Sequence, residues 1–177
     1  MKLSIVGALM CLVVMTMGCS GGVTVDQDFE PDTDFFLYKT WDWNPNSETD
    51  ELVAASQTQS VKDYDQYFKS VVADQMTEKG YTLVQTNPDI LITYKVGMRN
   101  AEGAIDWDLD YQDQMKNADV YKTHGGIVVF DIHDARTGRK VWHGTGTGSV
   151  NIDPTPDMAK EEVRKAVIAV LNQYPPK

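Results

Sequence analysis

Gly125-Gly126-Ile127-Val128-Val129-Phe130-Asp131-Ile132-His133-Asp134, the connection Ala135-Arg136-Thr137-Gly138, and Arg139-Lys140-Val141-Trp142-His143-Gly144-Thr145-Gly146-Thr147-Gly148-Ser149-Val150 form the stretch whose reading decides the fold. Two runs of alternating character flank a short polar connection, which marks a β-hairpin over Gly125–Asp134 and Arg139–Val150. Gly138 stands where a type I turn followed by a bulge needs a positive φ. That turn sets Val141 opposite His133 and His143 opposite Asp131. Val128, Phe130, Ile132 and Trp142 then share one face, which is expected to be core. Gly144 and Gly146 fall on the same face, where the absence of side chains would let a helix approach the sheet closely.

The elements that could cover such a sheet lie on either side of it in the chain. Val61, Tyr64, Phe68, Val71, Val72 and Met76 recur at three- and four-residue spacing. They predict a helix from about Ser60 to Lys79 with one apolar stripe, closed by Gly80 as a left-handed cap. A second helix is predicted to start near Pro156, a good first-turn residue, with Thr155 as its cap. Its buried side is Ala159, Val163, Ala166, Val167, Val170, Leu171 and Tyr174, and Pro175-Pro176 ends it. Further strands are expected at Val23–Asp28, at Tyr38–Trp43, and at Ile90–Met98, where Ile90, Ile92, Tyr94, Val96 and Met98 share a face. Trp41 and Trp43 point to one side of their strand and read as core. A short strand is expected within Tyr81–Thr86 before the turn Asn87-Pro88-Asp89. The polar, acidic run Asn44–Thr58, with Pro45, reads as a loop. The expected fold class is α+β: a two-layer sandwich, a mostly antiparallel sheet with two helices on one face, in the order ββαβββα.

The hairpin's other face gathers Asp131, His133 and His143, the constellation in the chain best able to carry chemistry. Two imidazoles and a carboxylate could hold zinc with an open position, or a His–Asp pair could move protons. Against this stands the spacing, which has no HExxH form and lies on flat neighbouring strands. A polar, solvated sheet face accounts for the same residues. His124 precedes the hairpin, and its orientation cannot be read. Asp106, Asp108 and Asp110 alternate like the start of a calcium loop. The sixth and twelfth positions of such a loop, which require Gly and Glu, are Tyr111 and Asn117 here. Ile105, Trp107, Leu109 and Tyr111 alternate with the acids and fit an amphipathic strand or extended flap. Gly144–Ser149 is glycine-rich but lacks the Lys-Ser/Thr ending of a phosphate loop and lies inside a strand.

The amino end addresses location. Lys2 is followed by an apolar run, Leu3–Val14, and then by Met15-Thr16-Met17-Gly18-Cys19. The run has the length of a signal-peptide core and falls short of the ~20 residues of a membrane span. The ending resembles a permissive lipobox, with Thr16 where Leu is usual. It predicts a signal peptide over residues 1–18, lipidation of Cys19, a tether over residues 19–22 and a single α+β domain over residues 23–177. Several acyl chains anchor stably where one does not. The expected place is the bacterial cell envelope; Ser20, in place of an Asp, favours the outer membrane, facing the periplasm.

Charge and thiols narrow the function. The chain has 16 Lys and Arg against 26 Asp and Glu, a net charge of −10. Cleavage after Gly18 removes Lys2 and takes the balance to 15 against 26, a net −11. This excludes a basic nucleic-acid stripe and electrostatic docking on anionic lipid. Cys11 lies in the signal and Cys19 carries lipid, so the mature chain has no thiol for a disulfide, a nucleophile or a thiolate metal site.

The order of these pieces resembles the bacterial lipoprotein family called domain of unknown function 4136. The resemblance rests on Val25-Asp26-Gln27-Asp28, on the Phe-x-x-Tyr-Lys-Thr-x-x-Trp pattern from Phe35 to Trp43, and on Lys79-Gly80-Tyr81. It continues through Pro88-Asp89-Ile90-Leu91-Ile92, Asp131-Ile132-His133-Asp134, Thr137-Gly138-Arg139-Lys140-Val141-Trp142 and the closing Tyr174-Pro175. It covers about Val23 to Pro175. The resemblance implies a small envelope α+β domain without assigned activity, and hence no catalytic residues. The leading expectation is therefore a lipid-anchored, non-enzymatic binding, assembly or structural module. It would use no cofactor and would meet an envelope protein or a second copy of itself through the free sheet face. A large apolar patch on that face would favour this reading. The alternatives are a metal-dependent or acid–base enzyme using Asp131, His133 and His143, and a calcium-steadied adhesion or assembly factor using Asp106, Asp108 and Asp110.

Overall fold

Two bare positions on one strand determine how the layers meet. In a computed structural model describing residues 22–57, 59–99, 105–106, 125–149 and 155–177, Gly144 and Gly146 lie beneath the carboxy-terminal helix. A Cβ built on Gly144 would stand 2.2 Å from Cη2 of Trp142 and 2.8 Å from Cγ1 of Val170. One built on Gly146 would stand 2.6 Å from Cγ2 of Val170. The helix rests on the sheet where side chains are missing, as expected from the sequence.

The strands are β1 (Thr24–Phe29), β2 (Thr40–Trp43), β3 (Thr82–Leu83), β4 (Ile90–Arg99), β5 (Ile105–Asp106), β6 (Gly125–Asp134) and β7 (Lys140–Ser149). The helices are α1 (Glu48–Ala55), α2 (Gln59–Glu78) and α3 (Pro156–Leu171), and a 3₁₀ turn spans Phe35–Leu37. The sheet order is β1-β7-β6-β4-β2-β3, with β5 paired to β4. Most pairs are antiparallel, and β2 runs parallel to both β3 and β4. The chain is thus the expected α+β two-layer sandwich. α2 and α3 lie side by side on one face, with α3 over β7, β6 and β1.

The core forms from the stripes read in the sequence. Phe68, Val71, Val72 and Met76 of α2 are buried in one cluster with Ile90, Ile92, Tyr94, Val128, Phe130 and Ile132 of the sheet, and Val61, also buried, lies outside that cluster. Phe68 stacks on Tyr94 at 4.1 Å between ring centroids and on Phe130 at 5.6 Å. Val167, Val170 and Leu171 are the buried side of α3. Just beyond it, Tyr174 meets Phe35, Tyr81 and Trp142 at 5.8, 5.6 and 5.4 Å. Burying side chains of this size contributes about 2–3 kcal/mol each. Gly80, with φ +85°, ends α2 as predicted, and the Tyr81 amide donates to the Met76 carbonyl. Thr155 caps α3 by accepting from the Met158 amide.

Three expectations are corrected. The run read as a loop, Asn44–Thr58, contains α1, so the order ββαβββα lacks a helix. Glu48, Asp50 and Glu51 occupy its first turn, where acids suit the helix dipole. It is held by distant partners: Glu48 pairs with Lys95, Asp50 with Lys69, and the Thr49 hydroxyl donates to the Tyr94 carbonyl. α1 also meets the edge of β4 that β2 leaves after Ile92. Next, Val141 does not face His133; Lys140 does. The turn closes one residue tighter, with the Asp134 amide donating to the Arg139 carbonyl. An irregularity between Ile132 and His133 then takes up Val141 and restores Trp142 opposite Ile132. Finally, the second strand begins at Thr40. The Lys39 and Thr40 amides both donate to Oδ2 of Asp89 at 2.8 Å, and the Thr40 hydroxyl does so at 2.9 Å.

Asp89 therefore ties the start of β2 to the start of β4, and its carbonyl accepts from Ala135 in the hairpin turn. These amide bonds hold its carboxyl below the usual range. Asp134 does similar work: burial alone would raise its carboxyl, but the Thr137 amide and hydroxyl and the Tyr38 hydroxyl outweigh that and lower it. Of the sequence-read cation segment, Ile105 and Asp106 are described, as β5 opposite Arg99 and Met98. Asp108, Asp110 and His124 lie outside the described residues, as do residues 1–21, with the expected signal peptide and Cys19.

Two outcomes are expected. Gly144→Ala should cost about 2 kcal/mol in urea unfolding, or roughly 4–8 °C in Tm. Gly148→Ala, whose Cβ would meet Val23 at an ordinary 3.7 Å, should change little. Asp89→Ala should cost about 2 kcal/mol at neutral pH. Because the folded pKa is depressed, this stabilisation is present above the unfolded carboxylate pKa and is lost as pH falls through the folded one. The gap between wild type and Asp89→Ala should therefore narrow below about pH 4. A constant gap would contradict the assignment.

Candidate functional site

Alternation along the strands decides what the second face of the sheet presents. β1 contributes Thr24, Asp26 and Asp28, and β7 contributes Thr147, Thr145 and His143. β6 adds Ile127, Val129 and Asp131, and β4 adds Gly97, Lys95 and Thr93. The register stacks them into cross-strand rows: Thr24–Thr147–Ile127–Gly97, Asp26–Thr145–Val129–Lys95 and Asp28–His143–Asp131–Thr93. Ile127 is buried at one end. Thr24, Asp26, Asp28 and Lys95 are exposed. α1 reaches this face at its β4 edge, where Glu48 pairs with Lys95; no described helix packs over β1, β7 and β6 on this side, and the exposed positions are polar, so this face carries no large apolar patch among the described residues.

The centre of the third row is the candidate site. Nδ1 of His143 lies 2.7 Å from Oδ1 of Asp131, and the Lys140 ammonium lies 3.2 Å from the same oxygen. Asp131 and His143 are thus brought together as the hairpin register requires. His133 is not part of this contact. It shares the face two residues along β6, and its Nδ1 is buried without a hydrogen-bond partner among the described residues. Burial pushes its imidazole down, Asp131 pulls the other way, and Lys140 adds to the lowering. Among the described residues no three His, Cys, Asp or Glu side chains come together as a metal-holding group.

Lys140 and Asp28 were absent from the sequence-based site. Lys140 reaches Asp131 because the tighter turn places it opposite His133. Asp28 faces His143 through β1–β7 pairing, and the two-residue period of the first strand already put Asp26 and Asp28 on one face.

A second cluster lies at the end of the sheet, where Tyr38, Asp89 and Asp134 converge. The Tyr38 hydroxyl donates to Oδ2 of Asp134 at 3.0 Å. Burial, followed by this bond, pushes the phenol up to about 12. Every atom of this cluster named here is engaged in joining strands, which makes it structural. Beside it the 3₁₀ turn presents Phe36 and Leu37 to solvent, 79% and 72% exposed, above the buried Phe35 and between Asp34 and Tyr38. No helix among the described residues is long and apolar enough to cross a membrane.

Known proteins supply the remaining context. No curated protein sequence matches the chain. Among solved structures it is similar to a PDZ domain protein from Parabacteroides distasonis, with a TM-score of 0.57 and 15% identity. The match covers 88% of this chain and 37% of that one, so this chain spans a little over a third of that protein's length. Two PelC dodecamer structures from Paraburkholderia phytofirmans are 17% and 14% identical, with TM-scores of 0.49 and 0.48. Each match covers 84% of this chain and 94% of the other. At these identities the likeness concerns the fold alone. The model of the family described as Domain of unknown function (DUF4136) matches residues 25–176, nearly the whole folded region, and the chain belongs to that family.

Proposed function

We propose that this chain is a lipid-anchored protein of the bacterial cell envelope, held through Cys19 at the outer membrane and facing the periplasm, where it serves as a non-enzymatic binding or assembly module. The observation that carries the binding role is the asymmetry of the sheet. One face is filled by α2 and α3, while the rows Asp26–Thr145–Val129 and Asp28–His143–Asp131 on the other lie under no described helix. Such a face suits a polar partner with cationic groups, since its exposed rim is acidic. The exposed Phe36 and Leu37 add a small apolar contact at the sheet's end. The anchoring role rests on the sequence Lys2–Cys19, its apolar run and its small residue before the cysteine.

Acid–base chemistry is the second reading, and the His143–Asp131 contact at 2.7 Å favours it. That carboxylate is already shared with Lys140, and His133 stands apart from it. A calcium-steadied factor using Asp106, Asp108 and Asp110 is the third.

Labelled palmitate should enter the wild-type protein in cells and not Cys19→Ala, and the variant should leave the membrane fraction. A wild-type protein that takes up no label and fractionates as soluble contradicts the anchoring. Zinc or calcium added to the purified chain should leave Tm unchanged. A rise reversed by chelator would favour the second or third reading instead, because a ligand that binds only the folded state must raise its stability.

A further inference from the structure

The outer edge of β1 has no strand beside it among the described residues. β1 is the first strand in the sheet order, and its one neighbour is β7. Consecutive amides on a strand point to opposite edges. The Glu30 amide, just past the strand, donates to the Val141 carbonyl of β7, so even-numbered amides face inward and those of Gln27 and Phe29 face outward. Those two outward amides are not bare. The Gln27 amide donates to Oδ1 of Asp26, and the Phe29 amide donates to Oδ1 of Asp28, each at 3.0 Å. The carboxylates of the preceding residues thus occupy the donors that an incoming strand would need.

We infer that Asp26 and Asp28 guard the outer edge of β1 against strand pairing with a second copy of this chain, by occupying the Gln27 and Phe29 amides and by repelling their own counterparts. The pairing guarded against is that of another β1 running antiparallel across a two-fold axis, since such a contact is self-complementary. In that pairing Asp26 and Asp28 of the two copies would lie near one another on the same face, an unfavourable arrangement of like charges. Exposed edges of this kind template association unless something blunts them. The other end of the sheet is protected differently: β3 is two residues long, and α1, β2 and β5 divide the far edge of β4. Among the described residues β1 is a six-residue strand with no strand along its outer side, and it carries the paired acids.

The test uses the protein extracted from membranes in detergent, which the proposed lipid on Cys19 requires. Sedimentation velocity across a concentration series is combined with hydrogen exchange of the β1 amides. Asp26→Ala/Asp28→Ala should show a mass rising with concentration toward twice that of wild type, and the Val25, Gln27 and Phe29 amides should gain protection as it does. Asp26→Thr/Asp28→Thr, which suits a strand better, should do the same and guards against a folding defect in the alanine variant. Asp63→Ala/Asp74→Ala removes the same charge from the exposed side of α2 and should behave as wild type. The inference is overturned if both edge variants sediment as wild type, if they associate without protection of β1, or if the control pair associates equally.

Discussion

Close approach between α3 and β7 is the constraint on which the rest of this structure depends. It is possible only because Gly144 and Gly146 present nothing on the core face, so the Val170 methyls can lie where a Cβ would otherwise be. With the helix seated there, Trp142 is enclosed from above and Tyr174 is delivered into a cluster with Phe35 and Tyr81. α2 then takes the adjoining strip, with Phe68 between Tyr94 and Phe130. Both helices are committed to one face, and the polar rows of the other are left to meet whatever the protein binds.

Much of this was legible in the chain because the signals were local. Gly138 needed a positive φ and has one, +71°. The apolar stripes of α2 and α3 needed a surface, and the Val128, Phe130, Ile132 and Trp142 face supplied it. His143 opposite Asp131 followed from period-two counting. What stayed hidden depended on partners far away in sequence. α1 has no strong apolar stripe; its stability comes from Lys69, Lys95 and the Tyr94 carbonyl, 19 to 47 residues distant. The irregularity at Val141 balances two demands, a turn tightened by Asp134 and a core that needs Trp142 opposite Ile132. Neither demand is visible in the alternation itself. For the same reason Lys140 was missed beside Asp131.

The acids that dominate the composition have divided duties. Asp89 and Asp134 join strand ends by accepting backbone amides, and their lowered pKa values follow from that work. Asp26 and Asp28 do the same along an open edge. Asp131 balances Lys140 and His143 on the polar face. These five acids are thus engaged in architecture, through backbone amides and neighbouring side chains.

The central claim is that the two layers fit because a glycine and a valine exclude any third group between them. A double-mutant cycle on Gly146→Ala and Val170→Ala measures this directly. The added methyl would stand 2.6 Å from a Val170 methyl that the second change removes. The account predicts that the double variant is more stable than the sum of the single effects by about 1 kcal/mol or more, a coupling typical of residues in contact. Strictly additive effects would contradict it.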